Sequence, residues 1–148
     1  MRTDSRLSRV LHALIHLQQA DGPLTSEALG EMLGTNAVVV RRLFGGLRDG
    51  GLVVSEKGHG GGWALAQPLE KITLLDVYRA VGEPPLFSDL VSEDHPECLV
   101  EQAVNAHLSA TLQDAEAVML ARFEKLTLAA LMRGVRLPVS RGKASGKR

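Results

Sequence analysis

Cysteine is nearly missing from this sequence. Cys98 stands alone in 148 residues, so no internal disulfide framework can form and a reducing compartment is expected. Aromatic side chains make up only 3% of the chain, which leaves Leu, Val and Ala to build the core. No apolar run approaches the length of a membrane span. Residues 10–17 are apolar behind Arg2, Arg6 and Arg9, but they include His12 and His16, and no small-residue cleavage site follows. That stretch reads as an amphipathic helix rather than a leader, and a cytoplasmic chain is expected. Catalytic signatures are missing too: there is no G-x-S-x-G, no H-E-x-x-H, and no phosphate-binding glycine motif opening a helix. An enzyme is not expected, nor is a metal site or cofactor, because structural zinc wants four ligands and usually paired cysteines.

Net charge is also absent, at +0, but the average hides segregation. Glu83, Asp89, Glu93, Asp94, Glu97 and Glu101 make the middle acidic, whereas Arg141, Lys143, Lys147 and Arg148 make a basic end without acids. The segment 138–148 is expected to be a disordered basic tail.

What is present is periodicity. Leu7, Val10, Leu11, Leu14 and Leu17 mark one face of a first helix, stopped by Asp21-Gly22-Pro23. Thr25 or Ser26 can cap a second, short helix with Leu29, Met32 and Leu33 inward, and Gly34 ends it. Thr35 or Asn36 caps a third helix running to about Arg48, with Val40, Leu43, Phe44 and Leu47 facing the core. Val38-Val39-Val40 is poor for helix propensity, yet the caps and the downstream period agree on helix. Extended runs at 52–55 and 63–66 around Gly58-His59-Gly60-Gly61-Gly62 predict a hairpin. Thr73 and Asp76 have capping-box spacing, with Ile72 and Val77 as the hydrophobic staple around them. After a break at Gly82-Glu83-Pro84-Pro85, the apolar series Val100, Val104, Leu108, Leu112, Ala115, Met119, Phe123, Leu126 predicts a helix of about 40 Å, at about 1.5 Å per residue.

The predicted fold class is therefore mainly α: a winged helix-turn-helix with a two-stranded wing and a long C-terminal dimerisation helix. Its parts are a DNA-binding domain at 1–82, a linker or effector region at 83–98, the dimerisation and terminal helices at 99–137, and the tail. A helix of this kind enters the major groove and reads base edges with its N-terminal residues. The expected DNA-binding set is Thr25, Ser26, Thr35, Asn36, Val38, Val39, Arg41, Arg42, Lys57, His59 and Gly60. Asn36 offers a paired donor and acceptor to adenine, Val38 a contact to a thymine methyl, and Arg41 or Arg42 donors to guanine or phosphate. One arginine is expected to face DNA and the other to flank the helix or pair with an acid. Cys98 is the candidate sensor thiol. Read blandly, these are solvated residues, the glycines form an ordinary turn, and Cys98 is buried or inert. A dimer interface is expected along Val104, Leu108, Leu112, Ala115, Met119 and Phe123.

Thr35-Asn36-Ala37-Val38-Val39-Val40-Arg41-Arg42, the stretch Gly58-His59-Gly60-Gly61-Gly62-Trp63-Ala64-Leu65-Ala66, and Ile72-Thr73-Leu74-Leu75-Asp76-Val77 with Leu126-Thr127-Leu128 together resemble the Rrf2 family of transcription regulators. The resemblance runs from about residue 6 to 132. It implies a homodimer in which the long helix crosses between subunits, bound to a palindromic double-stranded operator, usually as a repressor. Well-known members hold an iron–sulfur cluster on three closely spaced cysteines. With Cys98 alone, the cluster does not carry over, and His95-Pro96-Glu97-Cys98 resembles the cluster-free, YwnA-like branch. A small-molecule or redox effector is left open. The rival reading is a winged helix used as a protein-assembly module, which needs no basic face.

Overall fold

The structure is a computed structural model that describes residues 5–58, 61–87 and 90–135. Three helices come first: α1 (Arg6–Gln19), α2 (Ser26–Leu33) and α3 (Ala37–Asp49). The hairpin β1 (Val53–Glu56) and β2 (Gly62–Leu65) follows, then a 3-10 turn (Leu69–Lys71) and α4 (Leu74–Ala80). The long α5 (Leu99–Lys125) and the short α6 (Leu128–Leu131) complete the order. The mainly helical winged helix-turn-helix expected from the sequence is what forms.

Each boundary has a local cause. The Thr25 hydroxyl accepts the Ala28 N–H at 3.1 Å to open α2, and Gly34, at φ +66°, closes it in the left-handed conformation that a Cβ disfavours. Asn36 Oδ1 accepts the Val39 N–H at 3.0 Å to open α3. At α4 both halves of the capping box are made, Asp76 N–H to Thr73 Oγ1 at 3.1 Å and Thr73 N–H to Asp76 Oδ2 at 2.9 Å. Ile72 and Val77 are both fully buried beside it.

The core gathers Val10, Ala13 and Leu14 of α1, Leu29 and Leu33 of α2, and Val40, Phe44 and Leu47 of α3 around Trp63, Ile72 and Val77. Met32 departs from expectation, being 39% exposed. The buried stripe of α2 runs instead through Ser26, Leu29, Gly30 and Leu33. Gly30 lies so close to the next turn that a Cβ there would meet Thr35 O at 3.0 Å. The strands pair antiparallel, Val53 with Leu65 and Glu56 with Gly62, one residue away from the expected bounds on each strand. Leu52 stays outside β1 because its N–H still bonds Leu47 O at the end of α3.

Two bridges fasten distant segments to the head. Leu24 exchanges both backbone hydrogen bonds with Trp63, at 2.8 and 3.0 Å, tying the wing to the loop before α2. Leu74 N–H bonds Leu126 O at 2.9 Å and Leu128 N–H bonds Ile72 O at 2.8 Å, so the chain beyond α5 returns to the head. Leu128 is fully buried in the core. The expected tail at 138–148 lies outside the described residues.

Candidate nucleic-acid interface

The caps that start α2 and α3 also settle what their side chains present. Asn36 directs its carbonyl oxygen at the Val39 N–H, so the amide N–H pair is what remains for a base edge. The paired offer to adenine expected of Asn36 competes with this cap. Ser26 does not reach the surface: it is 8% exposed, and its Oγ accepts the Trp63 indole N–H at 2.9 Å. A buried indole N–H needs such an acceptor, so the Ser26 hydroxyl is engaged in pinning the wing. Thr25 is exposed, while Thr35 and Val39 are half-buried. Val38 stands out at 62% exposure, an apolar side chain in the first turn of α3.

Arg41 and Arg42 differ in their surroundings. Arg41 Nη2 meets Glu27 Oε1 at 2.7 Å, linking the first turn of α2 to α3. Arg42 is exposed and has no ion pair or hydrogen bond to a described residue. Arg41 also lines a cleft of about 380 Å³ with Thr25, Glu27, Arg48, Ser55 and Gly62, between the helix-turn-helix and the base of the wing. Lys57 is exposed at the start of the hairpin tip, whereas His59 and Gly60 lie outside the described residues. Arg48 is an outward position of the third helix in the sequence, but Glu27 and Ser55 were not singled out there. Only Glu27 had a legible signal, as an acid in the first turn of a helix.

The linker folds back along the start of α5. Glu101 Oε2 accepts the His95 N–H at 2.8 Å, Gln102 Nε2 donates to Pro96 O at 2.8 Å, and Asn105 Nδ2 donates to Ser92 O at 2.6 Å. Between them lies a groove of about 600 Å³. Cys98 is the N-cap residue of α5 and is exposed rather than buried, its N–H bonded to His95 O at 2.9 Å.

None of the 27 residues of α5 is buried. Of the expected interface, Val104 is 51% exposed, and Leu108, Leu112, Ala115, Met119 and Phe123 are half-buried within the single chain. Phe123 already packs edge-on against Tyr78, with ring centroids 5.9 Å apart. Leu99, Val100 and Val118, at 78%, 71% and 71%, are the more open apolar side chains.

Residues 3–134 match the family model described as Rrf2, iron-dependent transcriptional regulator. The chain is 29% identical over 116 residues to YwnA of Bacillus subtilis (strain 168), named as an HTH-type transcriptional regulator, covering 78% of this chain and 86% of that one. With YwgB of the same organism, named likewise, identity is 35% over 111 residues, covering 68% and 70%. Among solved structures, one described as a DNA-binding protein superposes with a TM-score of 0.66 at 28% identity, covering 86% of this chain and 99% of that one. T. potens IscR shares the fold with a TM-score of 0.65 at 20% identity, covering 92% and 89%. The iron in the family description does not fit the donors present. One thiol stands in the whole chain, and among the described residues no three His, Cys, Asp or Glu side chains converge as a metal site. A cluster held by several thiolates has nothing here to hold it. With the family model spanning all but the two ends, the chain belongs to the Rrf2 family of winged helix-turn-helix transcription regulators, proteins that are not enzymes.

Proposed function

We propose that this regulator is a homodimeric repressor that reads a palindromic operator with α3 and braces the DNA backbone with its wing. The reading rests on one observation above the rest: Arg42, exposed and without a described partner, sits beside Val38 on the outward side of a helix whose opposite side fills the core. A guanidinium offers five donors in a planar fork, and an exposed Val suits a thymine methyl. Lys57 supplies a sequence-blind phosphate contact from the wing. The dimer is supported by α5, whose exposed apolar side chains call for a cover that the single chain does not supply. The cytoplasm is where such a regulator meets DNA, and no described helix is long and apolar enough to cross a membrane.

Protection mapping on the DNA upstream of its own coding region, followed by titration of wild type, Arg41→Ala, Arg42→Ala and Lys57→Ala on operator and scrambled duplexes, tests this. Arg42→Ala should lose about 1–3 kcal/mol on operator and relax preference at one position. Lys57→Ala should weaken both duplexes together and flatten the salt slope by about one unit. If Arg42→Ala and Arg41→Ala both bind operator like wild type, α3 does not read DNA, and the protein-assembly reading takes its place.

A further inference from the structure

Glu27 is an odd residue for a surface that faces a polyanion. Among the described residues it is the one acid lining the cleft between the helix-turn-helix and the wing, where Arg41 and Arg48 supply the positive charge. Its carboxylate meets Arg41 at 2.7 Å across 14 residues of sequence, with the two side chains 64% and 56% exposed. An ion pair this wet adds little to folding, so stability gives no strong reason for it. Near DNA its effect is larger. A carboxylate opposes every phosphate alike, and it cancels the attraction of Arg41 for any phosphate within reach. It also holds the Arg41 guanidinium through Nη2, which leaves the remaining donors of a planar, pre-set fork to point elsewhere.

We propose that Glu27 is a specificity-determining positioning residue: it holds Arg41 for base readout and suppresses binding of DNA that lacks the operator. The proposal rests on the DNA-reading function given above. It treats the pair as one device, in which the acid lowers affinity for all sequences while the oriented arginine recovers that loss only where a base edge offers matching acceptors. The bland alternative is a pin that steadies α2 against α3. The two differ in outcome, since a pin that is lost weakens every duplex equally and lowers thermal stability.

The test uses full-length wild type, Glu27→Gln, Arg41→Gln and the double variant, titrated on the mapped operator and on a scrambled duplex at several salt concentrations. Melting temperature is measured alongside. Glu27→Gln should bind the scrambled duplex several-fold tighter, with a salt slope steeper by about one unit as Arg41 takes up a phosphate. The ratio of operator to scrambled affinity should fall about tenfold, with the melting temperature unchanged. In the Arg41→Gln background the same change should leave that ratio alone. A proportional loss on both duplexes, an unchanged ratio, or an equal drop without Arg41 overturns the proposal while leaving the regulator reading intact. Wild type that ignores both duplexes overturns both.

Discussion

The head and the long helix draw on the same aliphatic residues and bury them to opposite degrees. In the head, Val10, Leu14, Leu29, Val40, Phe44, Leu47 and Leu128 retain essentially no exposure. In α5, 27 residues long, no side chain is buried, and Leu99, Val100 and Val118 are more than two-thirds open. In the head, α1 and α3 cover their apolar faces against α2, α4 and the wing. The helix α5 touches the head mainly through α4 near its C-terminal end, where Phe123 meets Tyr78. The contrast separates the side chains that fold the head from those that a single chain leaves uncovered.

Removing the centre of the head should give the largest effect. Phe44 is fully buried and packs 5.4 Å from the Trp63 ring, with Trp63 tied in turn to Ser26. Phe44→Ala should cost about 3–5 kcal/mol, because the cavity left behind adds to the lost burial. Denaturant titration reads this directly, and a loss below about 1 kcal/mol would mean that the three helices do not share one core.

Charges on α5 divide the comparison along its length. Val118→Glu alters a side chain 71% exposed in the single chain, so the head should keep its melting temperature while the proposed dimer should dissociate at least 100-fold more readily, about 2.7 kcal/mol. Leu112→Glu also strips half-buried packing, and should lower both dimerisation and the stability of the monomer. Light scattering across micromolar concentrations decides the matter. A Val118→Glu protein with unchanged mass would take the valine side out of the interface.

Where α3 crosses α4, the head has almost no slack. A Cβ on Gly46 would lie 2.5 Å from the carbonyl oxygen of Ala80, a backbone atom that cannot swing aside. Gly46→Ala should therefore destabilise by about 1–3 kcal/mol, although alanine is the better helix former. Gly45, with nothing within 4 Å of the same hypothetical atom, is the control. If Gly45→Ala and Gly46→Ala behave alike in thermal melts, α4 does not press on α3.

Local rules made most of this legible in sequence. The caps at Thr25, Asn36 and Thr73, the end at Gly34 and the glycine-rich hairpin all act within a few residues, and each appears where the pattern puts it. Contacts between distant residues were not legible. Nothing in the sequence pairs Glu27 with Arg41, or Ser26 with a tryptophan 37 positions away, because the turn geometry that brings them together is a tertiary outcome. Thr25 and Ser26 were equal candidates for the cap, and the choice of Thr25 is what frees Ser26 to be buried. The apolar series of α5 gave the helix correctly, but periodicity alone does not tell a face turned to its own head from one awaiting a partner. Phe123 belongs to the first kind.

The smallest effect should come from the joint between the two regions. Tyr78 donates its hydroxyl proton to Pro84 O at 3.0 Å and lies edge-on to Phe123, so one buried side chain of α4 touches both linker and α5. Burial raises the phenol above its ordinary 10.0, and the charges of Glu116 and Glu83 push in the same direction. Because the folded state prefers the neutral phenol, this contribution is full below about pH 10 and is lost as pH rises through the raised folded value. Tyr78→Phe should cost about 0.5–1.5 kcal/mol at neutral pH, the worth of one hydrogen bond, and should lessen the decline of stability in alkali. Tyr78 is the one tyrosine in the chain, so tyrosinate absorbance follows it alone. Titration at the value of a free tyrosine, with wild type and Tyr78→Phe declining in parallel above pH 10, would show that the joint is open to water and that α5 moves independently of the head.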